Sequence, residues 1–315
     1  MHTLTERARS IPCEVRVPAS TSNLGPGFDF MGLALSLWLR VRITARAGGA
    51  THEIGELQGS ARDFPRGADN LILRAFDLFC ARHGVAASPF VFEAQSEIPL
   101  ARGLGSSGAA VVAGLLLARA ITGAPSTRGE LLALGLELEG HPDNSSAALV
   151  GGCTLAVPRP DGSVCVVEQA LHRELAFGLV WPTAALSTRD ARRALPSQVK
   201  FHDAVENPRR LALLLEGLRT ADPELLALGV EDRLHVPYRL PLIAGGAAAL
   251  ASARENGALA ATISGSGSAL LAIGRASTIA AALAAMARAI EAASGEPATS
   301  RIVQPVFGAP EVVEC

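Results

Sequence analysis

The segment Pro99-Leu100-Ala101-Arg102-Gly103-Leu104-Gly105-Ser106-Ser107-Gly108-Ala109 is a glycine-rich turn that feeds a helix. Amides at a helix start lack intrahelical acceptors and point, with the helix dipole, at any nearby anion. Glycine lets that backbone come within hydrogen-bond distance of the anion, and the hydroxyls of Ser106 and Ser107 can join it or hold a metal. The segment is therefore a candidate phosphate cradle, with a plain small-residue helix entry as the competing reading. Gly103, Gly105 and Gly108 also fit a dinucleotide fingerprint. Against that, Pro99 and the charged Glu97 separate the loop from the nearest strand, and no parallel βαβ series follows. Ala109 stands where a P-loop requires Lys.

Three further segments carry polar chemistry. Glu139-Gly140-His141-Pro142-Asp143-Asn144 gathers two carboxylates, an imidazole and an amide just past a helix that Gly140 and Pro142 stop. One such carboxylate can hold Mg²⁺, which prefers oxygen ligands and substrate phosphates. Asp143-Asn144 alone would read as a turn or a cap. Ser20-Thr21-Ser22-Asn23-Leu24-Gly25-Pro26-Gly27-Phe28-Asp29 follows a strand and suits a small polar substrate, with an ordinary connection capped by Asp29 as the alternative. Ile263-Ser264-Gly265-Ser266-Gly267-Ser268-Ala269 is a turn between strand-like segments that could close over a phosphate beside the first loop. No G-x-S-x-G, H-E-x-x-H or kinase catalytic loop occurs, and His2, His52, His83, His172 and His202 are scattered.

The elements that must position these residues fall into two halves. Strands are expected at Cys13 to Val17, Leu35 to Ile43, Phe90 to Ala94 and Cys153 to Val157. Between them, helical spacing predicts Asn70 to His83, stopped by Gly84; Ser107 to Ile121, apolar nearly all round; and a helix to about Leu138, opened by a Thr127/Glu130 capping box. The second half reads as a strand at Ala176 to Trp181, helices at Asp203 to Leu218 and Gly246 to Glu255, and strands at Leu259 to Ser264 and Ala269 to Ile273. A Ser277-capped helix and a strand at Arg301 to Val306 complete it. That order resembles an α+β sandwich with helices on one face of an antiparallel sheet, the division from the first half falling near Val166 to His172.

The 315 residues suffice for two domains with real cores, and 49% hydrophobic against 18% charged residues sets disorder aside. A net charge of -2, no clustered Lys or Arg and only 4% aromatic residues argue against nucleic acid. Five cysteines without a C-x-x-C pair argue against a disulfide framework or zinc site and for a reducing compartment. The uncharged stretches 103–118 and 256–274 are too short or too interrupted by Gly and Ser to span a membrane. The N-terminus carries Glu6, Arg7 and Arg9 and no apolar run, so neither a signal peptide nor an anchor is expected, and the cytoplasm is the expected location.

Together, Val17 to Asp29, Pro99 to Ala109 and Ser264 to Ser268 resemble the signature motifs of the GHMP kinase superfamily. Glu139 to Asn144, followed by Gly151-Gly152, is similar to the form found in its homoserine kinases, as are the Ser187 to Arg192 and His235 to Arg239 segments. The third loop departs from the family pattern, with Ser268-Ala269 where Pro-Thr is usual. The resemblance implies a two-domain α+β fold: residues 1–168 as an N-terminal α/β domain with a left-handed βαβ unit, residues 169–315 as a ferredoxin-like domain, and the site between them. It also implies transfer of the ATP γ-phosphoryl to the L-homoserine hydroxyl in threonine biosynthesis, by a homodimer.

Carried over residue by residue, the resemblance places ATP on Pro99, Arg102, Gly103, Leu104, Gly105, Ser106, Ser107, Gly108, Ala109, Gly265 and Ser266, with Asn70 at the adenine. Mg²⁺ falls to Ser106, or a Ser hydroxyl of this loop, with Glu139. Asn23, Asp29, His141, Arg192 and Arg239 fall on the amino acid. His141, Asn144 and Asp29 border the reaction through binding and transition-state stabilisation rather than proton abstraction. Rival expectations are a GHMP kinase for another small alcohol, a nucleotide-binding homologue without turnover, and a dinucleotide oxidoreductase.

Overall fold

The computed structural model describes residues 13–313, so the N-terminal segment with His2, and Cys315, lie outside it. The first half contains β1 (Cys13–Asn23), β2 (Gly27–Ala45), β3 (Glu53–Gly59), α1 (Leu71–Arg82), β4 (Phe90–Ser96), α2 (Ser106–Thr122), α3 (Arg128–Glu139), α4 (Asp143–Val150), β5 (Cys153–Pro158) and β6 (Val164–Gln169). In β2, Leu33, Leu35, Leu37, Leu39, Val41 and Ile43 recur at period two and are all buried, the signature of a strand with one face on a core. β11 (Val312–Val313), β1, β2, β4 and β3 lie side by side, and β5 continues the sheet from β2 to β6. β3 and β4 run parallel and are joined through α1, forming the βαβ unit.

The second half contains β7 (Leu175–Pro182), α5 (Thr188–Arg193), α6 (Phe201–Thr220), α7 (Pro223–Gly229), α8 (Val236–Arg239), α9 (Gly246–Glu255), β8 (Ala260–Ile263), β9 (Leu270–Arg275), α10 (Ile279–Ser294) and β10 (Ala298–Val303). Its antiparallel sheet has the order β10-β7-β9-β8, which is ferredoxin-like. Alternation along β7 and β9 divides the sheet between two cores: Val180, Leu270 and Ala272 pack under α9 and α10, whereas Leu179, Leu271 and Ile273 enter the large core with Leu214 and Leu218 of α6. Both faces are thus covered, which corrects the expectation of helices on one face only.

α2 is buried at every residue from Gly108 to Ala118, against α1 and β1, because it is apolar all round. Two expectations are corrected and one helix is added. α10 begins after Thr278, whose hydroxyl donates to the Gly257 carbonyl at 2.8 Å, so Ser277 is not its cap. α4 was not foreseen as a helix, since its eight residues DNSSAALV carry small polar side chains and no amphipathic stripe. Cys13 is disulfide-bonded, and the β11 pairing of Val313 with Glu14 brings the end of the described chain alongside it. Among the described residues no helix is long and apolar enough to cross a membrane.

Candidate active site

The end of β1 builds the floor. Ser20, Thr21, Ser22 and Asn23 are strand residues with almost no exposure, and their side chains, with the Ser20 amide and Ser22 carbonyl, tie neighbouring loops together. Asn23 Oδ1 accepts from the Asp29 amide at 2.9 Å and its Nδ2 donates to the Gly265 carbonyl at 2.8 Å. Ser264 Oγ donates to the Gly103 carbonyl at 2.7 Å and lies 2.8 Å from Thr21 Oγ1. The Gly265 amide donates to the Ser22 carbonyl, and the Ala269 amide to the Arg102 carbonyl. Three polar loops far apart in sequence are therefore one hydrogen-bonded unit.

The glycine-rich turn ends with Gly105, at φ +68°, as the N-cap of α2, and the first turn of that helix faces a cleft of about 420 Å³. Pro99, Leu100 and Leu104 line its wall. A side pocket of about 160 Å³, walled by Phe64, Pro65, Leu100 and Ala110, adjoins it at Ser106 and Ser107. Ser107 Oγ donates to Glu139 Oε1 at 2.8 Å, while Glu139 Oε2 is buried with no partner. Burial pushes the Glu139 carboxyl up to about 7, against opposing help from His141 and Ser107. An orphaned carboxylate oxygen beside a hydroxyl, at a helix start that favours phosphate, is a donor set suited to Mg²⁺.

Across the cleft, His141 Nδ1 donates to Asp143 Oδ1 at 2.6 Å. The same oxygen receives the Asn144 amide at 2.8 Å and Asn144 Nδ2 at 3.2 Å. Burial opposes charge on His141, but the bond to Asp143 and the nearby carboxylates Glu139 and Asp29 outweigh it and raise its pKa. Burial likewise opposes charge on Asp143; His141 and the Asn144 amide prevail and lower it. Asn144 is completed by Ser20 Oγ, which donates to its Oδ1 at 2.9 Å, and by Ser22 Oγ, which accepts from its Nδ2 at 3.1 Å.

Two arginines close the remaining side. Arg192, on the α5 turn capped by Ser187, grips Asp29 with two bonds of 2.9 Å each. Arg239 is 1% exposed and has no carboxylate within 4 Å among the described residues, so its charge lacks a direct counter-ion although Asp29, Asp232 and Asp143 favour it from farther away. Burial, then repulsion from Arg192, pulls its pKa down to about 10, still cationic at neutral pH.

The structure thus gathers Asn23, Asp29, His141, Asn144, Arg192, Arg239, Glu139, Gly265, Ser266 and the 99–107 turn around one cleft. Several expected roles change. Asn70 borders the side pocket, but its side chain caps α1 by accepting from the Ile72 amide at 2.9 Å and donates to the Pro65 carbonyl at 2.6 Å. Arg102 spends its guanidinium on the carbonyls of Leu100, Pro182 and Thr183, so it ties the turn to β7 instead of charging the phosphate site. Gly108 is the place where α4 crosses α2, since a Cβ there would meet Asn144 Cβ at 2.9 Å, and Ala109 is core. The serine on Glu139 is Ser107, not Ser106. Ser268, at the departure in the third loop, donates to the Ala184 carbonyl at 2.7 Å.

Asp143, Ser22 and Thr188 were missed as site residues. Asp143 was visible within the hexapeptide, but only the fold shows that α4 turns it inward. Thr188, 3.4 Å from Ser266 through their hydroxyls, lay within the Ser187 to Arg192 segment but was given no role there.

The chain matches the GHMP kinases N terminal domain over residues 70–152 and the GHMP kinases C terminal domain over residues 214–292. It is 44% identical to a homoserine kinase of Moorella thermoacetica over 267 residues, covering 83% of this chain and 87% of that one. It is 41% identical to a homoserine kinase of a Synechococcus strain, covering 82% and 83%. A crystal structure of homoserine kinase from Cytophaga hutchinsonii superimposes with a TM-score of 0.86 at 26% identity, over 96% of this chain and 98% of that chain. With two interlocked lobes, a phosphate-ready helix start and these relatives, the chain belongs to the GHMP kinase superfamily, in its homoserine kinase family.

Proposed function

We propose that this cleft is where the protein, an ATP-dependent homoserine kinase, phosphorylates the side-chain hydroxyl of L-homoserine. The observation that carries the amino-acid half is Arg239, a buried cation with no carboxylate in contact among the described residues, lining the same cleft as the first turn of α2. Phosphoryl transfer needs positioning and charge neutralisation more than covalent chemistry. The 103–107 backbone cradles the phosphates, and the side pocket takes the base against Pro65 and Leu100 rather than through the occupied Asn70 amide.

Glu139 and Ser107 hold Mg²⁺, which when bound offsets phosphate charge. Arg239 and Arg192 take the carboxylate, and Asp29 the ammonium. His141 offers Nε2, since Asp143 holds Nδ1, and Asn144 fixes the floor beneath the reacting hydroxyl. Residues 13–168, joined by the returning strand β11, form one lobe and residues 169–303 the other, with the cleft between them. A cytoplasmic homodimer is proposed on family resemblance.

A coupled ADP assay with L-homoserine, L-serine, mevalonate and shikimate tests the substrate. Signal with homoserine well above the others is expected; homoserine at the level of the no-acceptor blank would refute the assignment. For the metal, Ser107→Ala is expected to raise the Mg²⁺ concentration for half-maximal rate by about 10-fold or more, on the scale of metal-supporting contacts. Ser106→Ala is expected to shift it far less, because Ser107 alone contacts Glu139. Equal Mg²⁺ shifts in the two variants would contradict this placement.

A further inference from the structure

Arg192 meets Asp29 in the fork geometry, Nη1 to Oδ2 and Nη2 to Oδ1, both at 2.9 Å. The pair joins the start of β2, in the first sheet, to α5, which follows the first strand of the second sheet. Both side chains line the cleft and stay partly exposed, 35% for Asp29 and 44% for Arg192, so a ligand can reach them. Phe28 lies beneath, with the Arg192 guanidinium 5.8 Å and the Arg239 guanidinium 5.0 Å from its ring centre. Two cations and one carboxylate thus converge, and the carboxylate is already spent on one of the cations.

We propose that the Asp29–Arg192 pair is a selectivity lock that only a zwitterion opens. The ammonium of an α-amino acid replaces Arg192 on Asp29 while its carboxylate replaces Asp29 on Arg192. The exchange replaces one ion pair by two and strands neither partner. A ligand with only a carboxylate can reach Arg239 but gains Arg192 only by breaking a bidentate, charge-assisted contact and leaving Asp29 bare; a ligand with only an ammonium leaves Arg192 bare. The pair therefore works as a repulsive element against near-isosteric alcohols, not merely as two separate contacts. The inference rests on the assignment of the cleft to homoserine and adds the rule by which it rejects other alcohols.

The test is ADP release with L-homoserine, 4-hydroxybutyrate, which lacks the ammonium, and 2-amino-1,4-butanediol, which lacks the carboxylate. The enzymes are wild type, Asp29→Asn and Arg192→Gln. Asp29 sits at φ +61°, a conformation Asn adopts readily, so Asp29→Asn suits the backbone. Both variants lose activity on homoserine. Asp29→Asn is expected to raise kcat/KM for 4-hydroxybutyrate about 10-fold or more above wild type, because Arg192 is freed; Arg192→Gln does the same for the aminodiol. A gain in either variant supports the lock, and a gain in neither overturns it, since independent subsites would leave each analogue unaffected. Failure of the kinase assignment gives a different result: wild type inactive on homoserine itself.

Discussion

Arg239→Met is expected to lower kcat/KM for L-homoserine by about 10² to 10³-fold, chiefly through KM, while the thermal midpoint stays level or rises. The loss follows from removing one partner of a desolvated charge pair that forms only when the amino acid binds. Arg239 has weak internal compensation: its Nε reaches the Ala191 carbonyl at 3.3 Å, its Nη1 the Gly265 carbonyl at 3.3 Å, and His235 Nδ1 lies 3.5 Å away. Burial outweighs the distant pull of Asp29, Asp232 and Asp143 on this cation, so a neutral side chain of similar length relieves a cost to the free protein and offsets the carbonyls it leaves unpaired. Isothermal titration and thermal melts with and without homoserine measure both halves. A variant that melts much lower than wild type and binds homoserine normally would contradict the argument.

Gly103→Ala is the second large expected effect, about 2–4 kcal/mol of destabilisation with a drop of at least about 10-fold in kcat/KM for ATP. Gly103 sits at φ +69°, and a Cβ there would lie 2.1 Å from the Ser264 carbonyl oxygen and 2.8 Å from the Gly267 nitrogen. Both neighbours are backbone, so the methyl must part the phosphate turn from the 264–268 loop. The Ser264 Oγ to Gly103 bond would break with it. Gly123→Ala is the control: it shares a positive φ, +64°, but has nothing within 4 Å of its Cβ, so it is expected to cost only about 1 kcal/mol and leave the ATP KM unchanged. Urea unfolding and ATP titration separate the two; equal ATP effects would show that conformational strain, not the loop contact, dominates.

Period-two and helical patterns located most elements because those patterns record which face is buried. The exceptions are instructive. β3 and β6 carry charged and polar residues on exposed faces, which hides their alternation, and β1 runs on to Asn23 because Ser20, Thr21 and Ser22 are buried polar residues satisfied by other loops. No local rule foresees a polar strand end whose partners lie more than a hundred residues away.

The amino-acid sequence by itself determined the glycine turn ahead of an apolar helix, the Glu139 to Asn144 cluster, the loop at 264–268 and the α+β order of the second half, because backbone freedom, capping and hydrophobic period are local properties. Only the tertiary structure decided which hydroxyl meets Glu139, that Asn70 and Arg102 are committed to carbonyls and caps, that Asp143 orients His141 and Asn144, and that Asp29 and Arg192 neutralise each other. Each of those outcomes is a competition for hydrogen-bond partners and charges between distant segments, and it is settled by distances that exist only once β1, α2, α4 and the two sheets have packed.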